Sequence, residues 1–182
     1  MSFLSLLTRA AAALIVMIGA TVAAILPTAA PAQASGWTGW ICSAVPDGYM
    51  ATAQRLDLCA GGIVGQYIEP IRGDVWICDS VPAGYVATQM RTGSPCVANM
   101  VAQYIEAPRG DIWICDGVPA GYVATQMRTG SPCVANVVAQ YIEAPRSDIW
   151  ICSQVPPGFV ATQTRVGSPC MPGVMAQYIQ QI

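Results

Sequence analysis

The strongest constraint on this chain is that it repeats itself. Its cysteines fall in pairs, Cys42 with Cys59, Cys78 with Cys96, Cys115 with Cys133 and Cys152 with Cys170, and successive first cysteines stand 36, 37 and 37 residues apart. Each copy opens on W-I-C, passes through V-P-x-G and an aromatic residue, reaches its second cysteine and closes on Q-Y-I. A period of this length marks units that cannot bury their own apolar face and must stack on neighbours. Residues 76–112 and 113–149 agree at 34 of 37 positions, differing only at Ser80/Gly117, Met100/Val137 and Gly110/Ser147. The outer copies, 35–75 and 150–182, diverge more, as terminal repeats do when one face lacks a neighbour.

Within a copy the residues favour strands. Ile112–Cys115 is rich in β-branched and aromatic side chains, Val118–Gly121 holds the proline and glycine of a tight turn, and Tyr122–Met127 reads as a second strand. Gly130–Pro132 makes another turn, and Val137–Ile142 makes a third strand, so the unit reads as a three-stranded meander. For Cys133–Ile142 a helix competes, since its Ala, Val and Asn carry no decisive period. Strict alternation on the second strand would put Tyr122, Ala124 and Gln126 on one side and Val123, Thr125 and Met127 on the other. Neither side is wholly polar, which suits units covered on both faces.

A unit of 37 residues is close to the size at which a core alone fails to outweigh chain entropy. Pairing the cysteines within each unit supplies a staple, and a crosslink closing a loop of about 18 residues contributes about 3 kcal/mol on the chain-entropy argument. The rival scheme joins Cys59 to Cys78, Cys96 to Cys115 and Cys133 to Cys152, leaving Cys42 to find Cys170. Within-unit pairing is preferred because every added copy then brings its complete set of bonds. The expected architecture is all-β: four tandem disulfide-stapled three-stranded units in an open array, the alternative being a closed propeller-like ring.

Ahead of the repeats, Arg9 precedes an apolar and small-residue run from Ala10 to Leu26, then Pro27, Pro31 and the small-x-small site Ala32-Gln33-Ala34. This reads as a signal peptide, residues 1–34, cleaved after Ala34, and the run is short for a membrane span of ~30 Å. With it removed, all eight cysteines remain in the exported part, an even number suited to a disulfide framework. The expected location is secreted, periplasmic or cell-envelope, with no membrane attachment after cleavage.

Absent residues limit the chemistry. The chain has no histidine and no lysine, which removes histidine-based nucleophilic systems, histidine-ligated zinc and Schiff-base chemistry. No C-x-x-C pair suggests a redox or zinc site. Seven arginines against ten carboxylates beyond the leader give a net charge of −3, which is no footprint for nucleic acid. Carboxylates of the kind a hydrolase or a calcium site uses, Glu106, Asp111, Asp116, Glu143 and Asp148, flank turns and copy with the duplication. Arg72, Arg109 and Arg146 sit inside those clusters and would repel a cation. No enzyme, cofactor or metal is expected.

The positive features are aromatic and basic. Trp40, Trp76, Trp113 and Trp150 open the units, Tyr49, Tyr85, Tyr122 and Phe159 follow the turns, and Tyr67, Tyr104, Tyr141 and Tyr178 close them, with Trp37 extra. Such rings either build the core of a small β unit or stack on a partner. The leading expectation is a secreted, non-enzymatic repeat protein binding an extracellular protein or glycan, the four tryptophans being candidate contacts. The alternative is an inhibitor of an extracellular hydrolase or an antimicrobial effector, with Arg128 in the loop Met127–Cys133, and its copies Arg91 and Arg165, as anchors.

Arg109-Gly110-Asp111 spells an integrin-type tripeptide, and Arg72-Gly73-Asp74 repeats it, but the third copy reads Arg146-Ser147-Asp148. A copy that loses the glycine argues against adhesion and for a polar connector between units.

Overall fold

Strand-forming W-I-C, V-A-T-Q and A-Q-Y-I segments recur between glycine- and proline-rich turns, and each recurrence forms a strand. The computed structural model describes residues 36–182. The expected leader, with its apolar run Ala10–Leu26 and cleavage after Ala34, lies outside the described residues. The first unit comprises β1 (Gly39–Ile41), β2 (Tyr49–Arg55) and β3 (Gly65–Pro70), and the second β4 (Val75–Ile77), β5 (Val86–Thr92) and β6 (Val101–Glu106). The third comprises β7 (Ile112–Ile114), β8 (Val123–Thr129) and β9 (Val138–Glu143), and the fourth β10 (Ile149–Ile151), β11 (Phe159–Val166) and β12 (Met175–Gln181). The helical competitor at Cys133–Ile142 does not form. Asn136, at φ 70°, takes the left-handed conformation that ends the turn, and the β-branched run after it extends into β9.

The strand order corrects the meander. In every unit the closing strand is central, as in β7-β9-β8, and pairs antiparallel with both others. This order sets Trp113 directly opposite Tyr141, a cross-strand aromatic pair that a meander would separate. A second correction concerns alternation on β8. Ala124 pairs with Ile142 but Gln126 pairs with Tyr141, the next residue, so Thr125 is an extra residue in a β-bulge. The bulge interrupts alternation, and Val123, Ala124 and Thr125 are buried in succession. The same shift recurs in the other three units, between Ala51/Ala53, Ala87/Gln89 and Ala161/Gln163.

The disulfides join Cys42–Cys59, Cys78–Cys96, Cys115–Cys133 and Cys152–Cys170, with Cα–Cα distances of 5.7, 5.4, 5.6 and 5.6 Å. The rival between-unit scheme is not used.

The core lies between units as much as within them. Ala87 of the second unit packs on Cys115, Cys133 and Ala139 of the third, while Val86 packs with Ile112, Ile114 and Ile142. Ala51 and Met50 do the same one junction earlier, and Ala124 and Val123 one junction later. Backbone hydrogen bonds follow the packing: Cys78, Cys115 and Cys152 donate N–H to the carbonyls of Ala51, Ala87 and Ala124 at 2.7, 2.7 and 2.6 Å. Among the described elements, strands of different units touch only as β2 with β4, β5 with β7 and β8 with β10. The first and last units do not meet, so the array is open and the ring alternative is not adopted.

Candidate functional site

Trp76 on β4 and Tyr104 on β6 are Cα partners, so their rings emerge on one face and meet tilted, with centroids 5.5 Å apart. Arg91 on β5 stands opposite Ala102, two residues from Tyr104 and therefore on the same face. The small side chain at Ala102 leaves room for the arginine to cross the central strand. Its guanidinium carbon lies 4.0 Å from the Trp76 ring centroid.

The third and fourth units repeat this geometry: Arg128 lies 4.0 Å over Trp113, beside Tyr141, and Arg165 lies 4.0 Å over Trp150, beside Tyr178. A stacked guanidinium of this kind contributes about 0.5–1 kcal/mol at an exposed site. The first unit departs from the pattern. Arg55 is 5.9 Å from the Trp40 ring and is held instead by Asp57, at 2.6 and 2.9 Å. That ion pair pushes the Asp57 carboxyl below its ordinary range through the hydrogen bond from Arg55.

The tryptophans and the arginines, nominated separately as binding residues and as an inhibitor's anchors, thus form one site in each of these three units. Of the two readings of the rings, packing within the fold is the one observed. Trp76, Trp113 and Trp150 are half-buried, pack against the disulfide clusters and carry the arginines on their outer faces. Trp37, 54% exposed, lies against Gly39, where a Cβ would meet its ring at 3.2 Å.

Two sets of arginine now separate. Arg72, Arg109 and Arg146, in the connectors, pair with Glu69, Glu106 and Glu143 at 3.0, 3.6 and 3.0 Å. Arg91, Arg128 and Arg165 form no ion pair among the described residues, and all three are exposed. Nor does Arg128 sit on an extended loop, as an inhibitor's anchor would. It belongs to β8, which runs to Thr129, and only the tight turn Gly130–Pro132 separates the strand from Cys133.

The connector carboxylates have separate structural partners. Glu106 accepts a hydrogen bond from Thr88 Oγ1 at 2.6 Å. Asp111 Oδ1 accepts one from the Tyr141 hydroxyl at 3.5 Å, and Tyr178 donates to Asp148 at 3.2 Å. Desolvation, and then the negative charges of Asp111 and Glu143, raise the Tyr141 hydroxyl above the usual phenol range. Asp116 Oδ2 accepts from the Ala87 N–H at 3.1 Å, while Oδ1 has no partner, and burial pushes this carboxyl up. Among the described residues, no three Cys, Asp or Glu side chains gather as metal ligands.

The tripeptide is a connector with a specific backbone demand. In all three copies the left-handed residue is the aspartate, Asp74 at φ 59°, Asp111 at 62° and Asp148 at 64°, and each donates its N–H to the closing strand of the next unit. The preceding position needs no positive φ, which is why Ser147 can stand where Gly73 and Gly110 do.

Sequence reasoning missed the bulged V-A pair that joins units, because its partners lie about one repeat away. It also missed the clefts between successive V-P-x-G turns. The larger encloses ≈ 520 Å³ between Val118–Tyr122 and Ser153–Pro157. Tyr122 spans the connector there, donating its hydroxyl to the Pro108 carbonyl at 3.1 Å, a bond that Phe159 cannot make. The chain matches no known protein family, no characterised protein and no solved structure.

Proposed function

We propose that this chain is an exported, non-enzymatic binding module of the extracellular space or cell envelope, and that it engages an anionic partner through Arg91, Arg128 and Arg165. The observation that carries this reading is the unpaired guanidinium held 4.0 Å over a tryptophan in three successive units. Stacking occupies the ring, so the exposed surface offers guanidinium N–H groups in place of a bare aromatic platform for neutral sugars. A planar guanidinium already oriented by its ring loses little freedom on making paired hydrogen bonds to carboxylate, sulfate or phosphate. Three copies on one chain add avidity for a partner with repeating acidic groups, and an acidic envelope polysaccharide has that form. Four disulfides fit an oxidising compartment, consistent with the leader-like residues 1–34. Among the described residues, no helix is long and apolar enough to cross a membrane.

Retention of the exported protein on immobilised polygalacturonate and on uncharged dextran tests this reading. The expected result is retention on the polyanion alone, falling steeply with salt and lost by roughly a hundredfold in Arg91→Gln/Arg128→Gln/Arg165→Gln, with single variants falling a few-fold. A triple variant that melts normally and binds as well as the parent would refute the assignment.

A further inference from the structure

The junction between units is built three times, and among the described residues its two halves recur uncovered, one on the fourth unit and one on the first. At each internal junction an alanine on the bulge of one unit covers the disulfide of the next. Ala51, Ala87 and Ala124 are each 0% exposed. The fourth unit keeps the same text, Val160-Ala161-Thr162-Gln163, but among the described residues no unit packs on it. Ala161 is exposed and Val160 is 39% exposed, where Val86 and Val123 are 2% and 0%.

The first unit shows the complementary half. Six cysteines of the later units are buried at 5–9% exposure, whereas Cys42 is exposed and Cys59 half-buried. Ser43, also exposed, stands where the fourth unit has Ser153, whose Oγ accepts the Ala124 N–H at 3.2 Å. Ile41 is half-buried where Ile77, Ile114 and Ile151 are fully buried, while Ile68 is already covered, so this end is open at the disulfide and beside it at Ile41. Gly65 replaces the usual alanine, and Leu58 lies 2.9 Å from where its Cβ would be, so the surface there remains apolar.

We propose that the tail of one copy docks on the head of a second. Ala161 on β11 covers the Cys42–Cys59 disulfide of the second copy, and the Cys42 N–H and Ser43 hydroxyl oxygen meet the Ala161 carbonyl and N–H. The contact continues the internal junctions with the same pairings. It is heterologous, so it propagates into a filament or closes into a ring. Such assembly would also multiply the Arg–Trp sites, although the proposal does not depend on what they bind.

One junction rests on a few apolar residues and a backbone hydrogen bond, so association is expected to be weak and to show in sedimentation velocity at up to about 1 mM. The exported protein should form species that grow beyond dimers with concentration. Ala161→Arg and Ser43→Arg change exposed side chains at opposite ends, and each alone should be monomeric with an unchanged melting temperature. Mixed, they should give a one-to-one dimer and nothing larger, because each retains the end that the other has lost. A parent that stays monomeric at about 1 mM overturns the proposal. So does a parent that stops at a dimer abolished by Ala161→Arg but not by Ser43→Arg, which would mean symmetric pairing of two β11 strands.

Discussion

The Ala87 carbonyl accepts a 2.7 Å hydrogen bond from the Cys115 N–H, 28 residues further on, and the Ala87 methyl is wholly buried against the Cys115–Cys133 disulfide. One unit's bulge therefore roofs the next unit's staple. Stability in such an array rests on the units and on each neighbouring pair.

Enlarging that roof should destabilise the array. Ala87→Leu is expected to cost about 1–3 kcal/mol through overpacking, read as a lower urea midpoint. Ala161→Leu places the same side chain on the uncovered copy and should stay within about 0.5 kcal/mol. Equal losses at both positions would refute the junction's energetic role.

The staples should differ in access. Cys42 is exposed while Cys78, Cys96, Cys115, Cys133, Cys152 and Cys170 are buried, so mild reduction followed by alkylation should label Cys42 and Cys59 first. Removing the third staple with Cys115→Ala/Cys133→Ala should cost about 3 kcal/mol in denaturant unfolding.

Backbone conformation gives a prediction at the tripeptide. Asp111 holds φ 62°, so Asp111→Gly should be neutral or stabilising, whereas Asp111→Val should lose about 1–2 kcal/mol. Asp111→Glu in a chain spanning residues 35–182 should leave cell attachment unchanged, because Arg109 faces Glu106 at 3.6 Å within the connector. Attachment that is seen and then lost on this change would restore adhesion.

Stability should also respond to one acid. Desolvation raises the Asp116 pKa in the folded chain above its unfolded value. Its contribution is therefore fully present below the unfolded pKa and is lost as pH rises through the folded pKa. Asp116→Asn does not titrate and keeps an oxygen for the Ala87 N–H, so its stability relative to the parent should rise as pH increases through the folded pKa of Asp116 and level off above it. Urea titrations of both proteins across that range check the sign.

Much of this molecule could be read before any coordinates. The repeat and the all-β class follow from the spacing of W-I-C, V-P-x-G and the second cysteine, the within-unit disulfides from copies that each carry a complete set of bonds, and the open array from the divergence of the outer copies. Central placement of the closing strand was not legible, because a sequence marks where strands lie but not which edges pair. The bulge at Thr125 escaped because an extra residue leaves composition unchanged while interrupting alternation.

Trp113 and Arg128 were visible as separate candidates 15 residues apart. Only the cross-strand register, through Tyr141 and the small Ala139, brought the guanidinium over the indole. The sequence by itself determined the unit, its staple and its turn chemistry, which depend on local geometry and loop closure. The tertiary structure alone decided which faces meet, that Ala87 buries a neighbour's disulfide while Ala161 does not, and that in three units an unpaired arginine stands over a tryptophan. Those outcomes depend on packing between residues remote in the chain, which local patterns do not encode.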